Sequence, residues 1–439
     1  MKIRLILITF LIFPNILNAQ TSQNNIGFTE ILKWAKGMKS AVSITYDGGT
    51  VNQFRVALPI MNDLDLKSTF FIVTGDITGS SYLPKFIGRS IKDIVYESKI
   101  VPLNDNNFFE RATAVRYLGY ESVLEHHTKA GDFFELEKFG EAYSEIDMAY
   151  MKSRRGEYDS ISGNFDNKTV DISWDQIKEI ASQGHEFASH SISHPQLAIY
   201  DEKNIRYELE KSKQELMDHL GEKHAFSLEC PYGTENKRVI KIASSIYPAL
   251  RNRMPEVYLE EMNRWDKNSP TTSKNEYVQW QRGPKSNTSL FEMKSWIDTS
   301  LKAENIWLIL VFHGIEGIGF EPISENDIRD YFEYIKTKEN EIWVATFQDV
   351  TKYIRERMNT KINSFVISEK QLEIELVNDL DHQIYDYPLT LKTYVPVNWE
   401  IAKISQADIN QVVEVESDLK GSYITYTVIP TVGKIIISK

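Results

Sequence analysis

Short apolar runs recur along this 439-residue chain, most of them separated by stretches whose apolar residues keep helical spacing. Residues 41–46 form a β-branched run that closes on Asp47-Gly48-Gly49, a strand ending in a turn. Residues 52–65 then carry Val56, Ile60, Met61 and Leu64 at helical intervals, and 68–73 is the next apolar run. Strand, helix and strand in this order build a parallel sheet. The alternation lapses after 73, where helical patterns at 108–118, 120–128 and 136–151 follow one another. It resumes with helix 174–183, strand 185–189, helix 200–220, strand 225–229, helix 236–245 and strand 247–251. Segment 278–281, helix 290–302, strand 306–312, helix 325–338, strand 342–346 and a helix to 358 complete it. About seven strands alternating with helices predict an α/β fold, an irregular (β/α) barrel.

From 359 the pattern changes to β-rich stretches (365–377, 385–395, 412–416 and 423–437) joined by short polar turns, which predicts a small sandwich-like domain over 359–439. Tyr385, Tyr387 and Tyr394 are its only candidates for a sugar-binding row, so a packing role is expected. At the other end, Lys2 and Arg4 precede an apolar run over 5–17 and then Asn18-Ala19. Residues 1–20 therefore read as a cleaved signal peptide, too short to span a bilayer, and predict export to the periplasm or beyond. No later stretch is apolar enough to span. The single Cys230 rules out an internal disulfide framework. A net charge of -12 argues against nucleic acid or an anionic membrane as partner and suits a neutral or cationic substrate such as a glycan.

Residues 184–195 read G-H-E-F-A-S-H-S-I-S-H-P. A strand delivers His190 to its end and His194 follows four residues later, a spacing that sets two imidazoles on one side of a helical turn. Such a pair can chelate a metal of zinc type if a further protein ligand joins it and one position stays open for water. Taken alone, such a pair reads more readily as two solvent-facing histidines ahead of a helix than as ligands; its context reverses the order.

Together with Thr45-Tyr46-Asp47-Gly48-Gly49, Pro231-Tyr232-Gly233 and Leu310-Val311-Phe312-His313, this stretch resembles the motifs of the polysaccharide deacetylases, the NodB-homology enzymes of carbohydrate esterase family 4. The motifs occur in the family's order over about 41–357. The resemblance implies a distorted (β/α) barrel over 21–358, with 75–170 as a long insertion because the family's first two motifs lie much closer together. It implies hydrolysis of acetyl groups, N-acetyl before O-acetyl, on an acetylated oligo- or polysaccharide. A divalent metal, zinc by expectation, would be held by His190 and His194 and would activate the water. Asp47 would be the general base, His313 the general acid, and Tyr232 a backbone N–H donor to the oxyanion.

Two positions depart from the family. Gly48 stands where a ligand aspartate is expected, and Glu229 stands where an arginine pairs with the base. A carboxylate beside Asp47 raises the pKa of one of the two unless a cation lies between them, and Glu229 is a candidate replacement ligand or modulator. These departures keep open a family member that binds acetylated glycans without turning them over, and a hydrolase that uses the pocket for other chemistry. The fourth motif is not recognisable; Trp265-Asp266 and Trp280-Gln281-Arg282 are candidates for a cleft wall. His126 and His127, adjacent and so divergent on a helix, are expected on the surface. The insertion is expected either to shape the cleft or to decorate the barrel.

Overall fold

The computed structural model describes residues 25–158, 170–251, 253–430 and 432–439; the proposed signal peptide at 1–20 lies outside the described residues. The chain divides into two compact units, Met38–Thr351, and Lys352–Lys439 together with the chain up to Gly37. Strand β1 (Thr29–Ile31) belongs to the latter.

Among its described residues the larger unit holds nine parallel strands: β2 (Ser40–Gly48), β3 (Ser68–Ile72), β4 (Glu186–Ser189), β5 (Ser227–Leu228), β6 (Ala249–Leu250), β7 (Leu259–Met262), β8 (Tyr277–Arg282), β9 (Ile306–Phe312) and β10 (Ile342–Val344). Their order is β6-β5-β4-β3-β2-β9-β8-β7, and β10 pairs with the first residues of β2, ahead of the stretch that pairs with β3. β7 reads Leu-Glu-Glu-Met, too short and too charged to stand out in the sequence. Helix α1 (Leu58–Asp63) follows β2. The insertion contributes α2 (Ile91–Glu97), α3 (Phe108–Val115), α4 (Val123–Glu135) and α5 (Phe139–Arg155). After it come α6 (Trp174–Ser182), α7 (Glu202–Leu220), α8 (Lys237–Ala243), α9 (Leu290–Ser300), α10 (Glu325–Lys336) and α11 (Phe347–Asn359). Ser173, Asp201, Ser289 and Ser324 accept the N3 backbone N–H of α6, α7, α9 and α10, satisfying donors that a helix start otherwise leaves orphaned.

Strand alternation sorts β2 into two faces. Val42, Ile44 and Tyr46 join the apolar core, where Tyr46 stacks on Phe70 and Phe312. Ser43, Thr45 and Asp47 share the opposite face, where Ser43 Oγ accepts the Trp307 indole N–H and Thr45 Oγ1 accepts from Arg251. Arg251, directly after β6, also reaches the Asp47 carboxylate. In a flat sheet β6 and β2 would lie four strand spacings apart, roughly 19 Å, well beyond one side chain. The contact therefore requires the sheet to curl, and the protein adopts the distorted barrel expected from the sequence. Gln279 and Gln281, from β8 on the far side of β2, donate to the Arg251 backbone carbonyl, so side chains span the open side of the curl.

The same inward face carries a buried carboxylate. Glu186 accepts from Thr69 Oγ1 at 2.7 Å and from the Gln348 backbone N–H at 3.0 Å, and burial pushes its pKa up to about 7 despite these bonds. The folded state thus holds a proton that the unfolded chain releases near pH 4.5, so stability falls as pH rises from about 4.5 to about 7 and then levels. Glu186→Gln is expected to remove this share of the slope, up to about 3 kcal/mol. Thermal melts at pH 5 and pH 7.5 check it, and an unchanged difference between the two pH values in the variant refutes it.

The insertion packs its own apolar core, including Phe108, Ala112, Val123, Ile146 and Tyr150, together with Ile199 from the segment after His194. His126 and His127 do diverge on α4, but neither is on the surface, because α4 is covered on both sides. His126 Nδ1 donates to Glu145 at 2.6 Å and its Nε2 accepts from Lys152. His127 lies against Ala112 O through Nδ1 and accepts the Gln196 backbone N–H on Nε2. The insertion therefore braces the loop after β4.

In the smaller unit, β11 (Lys361–Ser368), β12 (Gln371–Val377), β13 (Leu389–Tyr394), β14 (Ile401–Gln406), β15 (Ile409–Glu414), β16 (Glu416–Asp418), β17 (Gly421–Val428) and β18 (Ile435–Ser438) form two antiparallel sheets, β1-β13-β17-β16 and β11-β12-β18-β14-β15. Ile424, Tyr426 and Val428 alternate inward along β17. Tyr394 is buried with its hydroxyl on Asp418, and Tyr385 accepts from Arg355.

Candidate active site

Asp47 is the penultimate residue of β2, His190 follows β4, Glu229 follows β5, Arg251 follows β6 and His313 follows β9, so parallel strands deliver all five to one end of the barrel. Asp47 Oδ1 and Oδ2 each accept from Arg251 at 2.7 Å, a bidentate fork. Arg251 Nε lies 3.1 Å from Glu229 Oε2, and His313 Nε2 lies 3.4 Å from Asp47 Oδ2. Gln53 Nε2 donates to the backbone carbonyls of both Asp47 and His313, tying the two strand ends together.

His190 Nδ1 donates to the Glu229 carbonyl at 2.7 Å, which leaves Nε2 as the uncommitted ring nitrogen. The His190 and His194 rings sit edge to face with centroids 4.7 Å apart, and His194 is 4.7 Å from the Tyr232 ring. Ser191 (φ 67°), His194 (φ 53°) and Tyr232 (φ 61°) all hold left-handed backbone conformations that cost non-glycine residues energy. Buried bonds maintain the histidine turn. Glu208 accepts from the Ile192 and Ser193 N–H groups and from Ser193 Oγ, while Arg116 of the insertion donates to the Ser193 carbonyl.

Asp47, Gly48, Thr50, His190, His194, Glu229, Tyr232, Gly233, Arg264, Trp265, His313 and Phe320 line one cavity of about 420 Å³. Every site residue expected from the sequence is in its wall. Among the described residues, none of the insertion lines it. Trp265 is a wall residue, whereas Trp280 is buried in the core, Gln281 is bonded to Arg251, and Arg282 donates to three backbone carbonyls.

The charges divide according to Arg251. Burial alone would raise the Asp47 pKa, but the Arg251 charge and its fork, aided by His313 and His190, hold it well below the usual carboxylate range. Burial raises Glu229 to about 7 against the pull of Arg251, with Asp47 adding to the rise. Burial likewise lowers His313 to about 4 and His194 to about 3, and it lowers His190, so the three imidazoles are neutral at neutral pH. The cation between the two carboxylates is therefore present. It comes from the strand after the motif, a residue the motif comparison passed over.

The sequence model of the polysaccharide deacetylase family matches residues 133–247, the stretch that holds both histidines, Glu229 and Tyr232. The chain is also similar to part of a gellan lyase from a Bacillus species, 22% identical over 244 residues, which is 52% of this chain. The chain spans about a tenth (10%) of that relative's length. Among solved structures, a family 4 carbohydrate esterase from Bacillus anthracis aligns over 78% of this chain and 95% of its own, at 13% identity and a TM-score of 0.33. Bacillus subtilis PdaA, a family 4 carbohydrate esterase, covers 76% of this chain and 87% of its own at 12% identity and a TM-score of 0.32. The Xyl-CE4 domain of a multidomain xylanase from the hindgut metagenome of Trinervitermes trinervoides covers 71% and 89% at 13% identity and a TM-score of 0.33. Among the described residues of this chain, no helix is long and apolar enough to cross a membrane.

Family 4 carbohydrate esterases generally use a divalent metal, and the donors here can be tested against one. His190 and His194 offer two neutral imidazoles. The third position, Gly48, has no side chain, and open space lies where its Cβ would be. Asp47 is committed to Arg251 and His313, and Glu229 to Arg251. Among the described residues no three His, Cys, Asp or Glu side chains are grouped as a metal would require. Two protein donors do not fit a resident three-ligand site.

Proposed function

We propose that the cavity hydrolyses an acetyl group on a glycan, an N-acetyl group in the first instance. The observation that carries this reading is that Asp47, His190, His194, Tyr232 and His313 line one cavity of about 420 Å³, room for a sugar residue and its acetyl group. Arg251 keeps Asp47 ionised and oriented. Asp47 takes a proton from the attacking water, whose oxygen bonds to the acetyl carbonyl carbon. The backbone N–H of Tyr232 receives the developing oxyanion. As the C–N bond breaks, the proton taken by Asp47 passes to the neutral His313 at Nε2, 3.4 Å from Asp47 Oδ2, and from there to the leaving nitrogen, releasing acetate and a free amine. His190 and His194 shape the acetyl-facing wall as neutral rings. Acetate release from acetylated chito- and xylo-oligosaccharides, with and without chelator, tests the proposal. No release from any of them refutes it.

Gly48 favours a second reading, in which the cavity binds acetylated glycans without turnover. Gly48→Asp distinguishes the two. Its φ of 88° disfavours any side chain, so the variant is expected to lose about 1–2 kcal/mol of stability even though its Cβ meets nothing within 4 Å. In return it is expected to retain close to one zinc per chain by elemental analysis, where the wild type retains far less. A silent wild type with an active Gly48→Asp variant supports the binding reading; an active wild type excludes it.

A further inference from the structure

A second cavity, of about 460 Å³, adjoins the first and shares Arg264, Trp265, His313 and Phe320 with it. Arg264 stands at the junction. It makes no hydrogen bond or ion pair with any described residue, although a guanidinium taken partly out of water ordinarily finds an acceptor. The carboxylates whose field it feels, Asp47 and Glu229, are already engaged by Arg251. Its guanidinium carbon lies 5.9 Å from the Trp265 ring, a π face that leaves its N–H donors without an acceptor; Trp265 is 67% exposed, with the Lys285 ammonium 4.8 Å from the same ring, and Phe320 is 68% exposed. Lys267 and Lys285 line the same second cavity. Of the carboxylates that line it, Glu321 is held by the backbone N–H and Oγ of Ser286, and Asp266 accepts the Asn268 N–H; Glu292 is the third. An exposed indole face suits the C–H face of a sugar ring, and an uncommitted guanidinium fork matches a carboxylate. The overall negative charge of the chain does not oppose this, because charges beyond about 8 Å are screened at physiological salt.

We propose that this second cavity is a subsite for a sugar residue bearing a carboxylate, stacked on Trp265 with its anion on Arg264, next to the acetylated residue in the first cavity. The proposal rests on the reading of the first cavity as a glycan site and extends it to acidic acetylated glycans. A matched pair of probes tests it: a tetrasaccharide of alternating N-acetylglucosamine and glucuronate, and the same tetrasaccharide with its carboxyl groups reduced to alcohols. Calorimetric binding to the wild type is expected to be at least about tenfold tighter for the carboxylate form. Arg264→Gln is expected to abolish that preference, and Trp265→Ala to weaken both forms alike. Equal affinity of the wild type for the two forms, no binding of either, or a preference that survives in Arg264→Gln overturns the proposal. The wild-type comparison stands even if a variant misfolds. Acetate release, measured separately on the same probes, reports on the hydrolytic reading, so a carboxylate preference without acetate leaves the subsite standing while hydrolysis fails.

Discussion

Asp47→Asn lowers acetate release from acetylated oligosaccharides by about a thousandfold, the scale on which positioned acid–base groups act. The change is isosteric, so the loss measures chemistry rather than shape. Asparagine still offers one oxygen to the Arg251 fork, and Arg251 keeps Glu229, so the variant is expected to stay folded with a modest drop in melting temperature. Initial rates under identical substrate saturation check the prediction. A variant that retains more than a tenth of the wild-type rate would exclude Asp47 as the base and leave His313 to be examined for that role.

Arg251→Met should produce the largest loss of stability of any single change at the site. It leaves Asp47 and Glu229 buried with no cation between them. Breaking a buried ion pair from one side costs about 3–5 kcal/mol, because the stranded charge cannot be rehydrated. Both carboxyls then resist ionisation, so the penalty grows as pH rises through the range in which the unfolded chain ionises them. At low pH, with both protonated, the variant approaches the wild type. Glu229→Gln in the Arg251→Met background should recover part of the loss at neutral pH, since one of the two stranded charges is gone. Denaturant melts of the four species at pH 5 and pH 7.5 form the cycle. A loss of less than about 1 kcal/mol in Arg251→Met at neutral pH would show that the fork carries no weight.

How much of this was legible in the sequence depended on range. Strand and helix periodicity is local, and residues 41–46, 68–73 and 306–312 fell within a residue or two of β2, β3 and β9. The motif residues were found because each sits at a strand end with its own neighbours, and they do line one cavity. Arg251 was missed because its role depends on sheet order and curl. Nothing around residues 247–251 says that β6 faces β2 across a barrel, and one indirect signal, a second carboxylate at Glu229 requiring a counter-charge, was left without an owner. His126 and His127 went wrong for a related reason: divergence on a helix implies exposure only when one side of the helix is free. The role of the insertion was similarly hidden, since Arg116 and His127 act on a loop nearly 70 residues or more further on.

Arg251 also bears on how the protein comes to be competent. Its main chain is clasped by Gln279 and Gln281 while its side chain grips Asp47, so a single residue latches the wall across the curl and fixes the carboxylate at its mouth. In a chain whose sheet has not yet curled, Asp47 is charged but solvated and free to turn, so the direction in which its carboxylate points is a property of the closed wall and not of the residue alone.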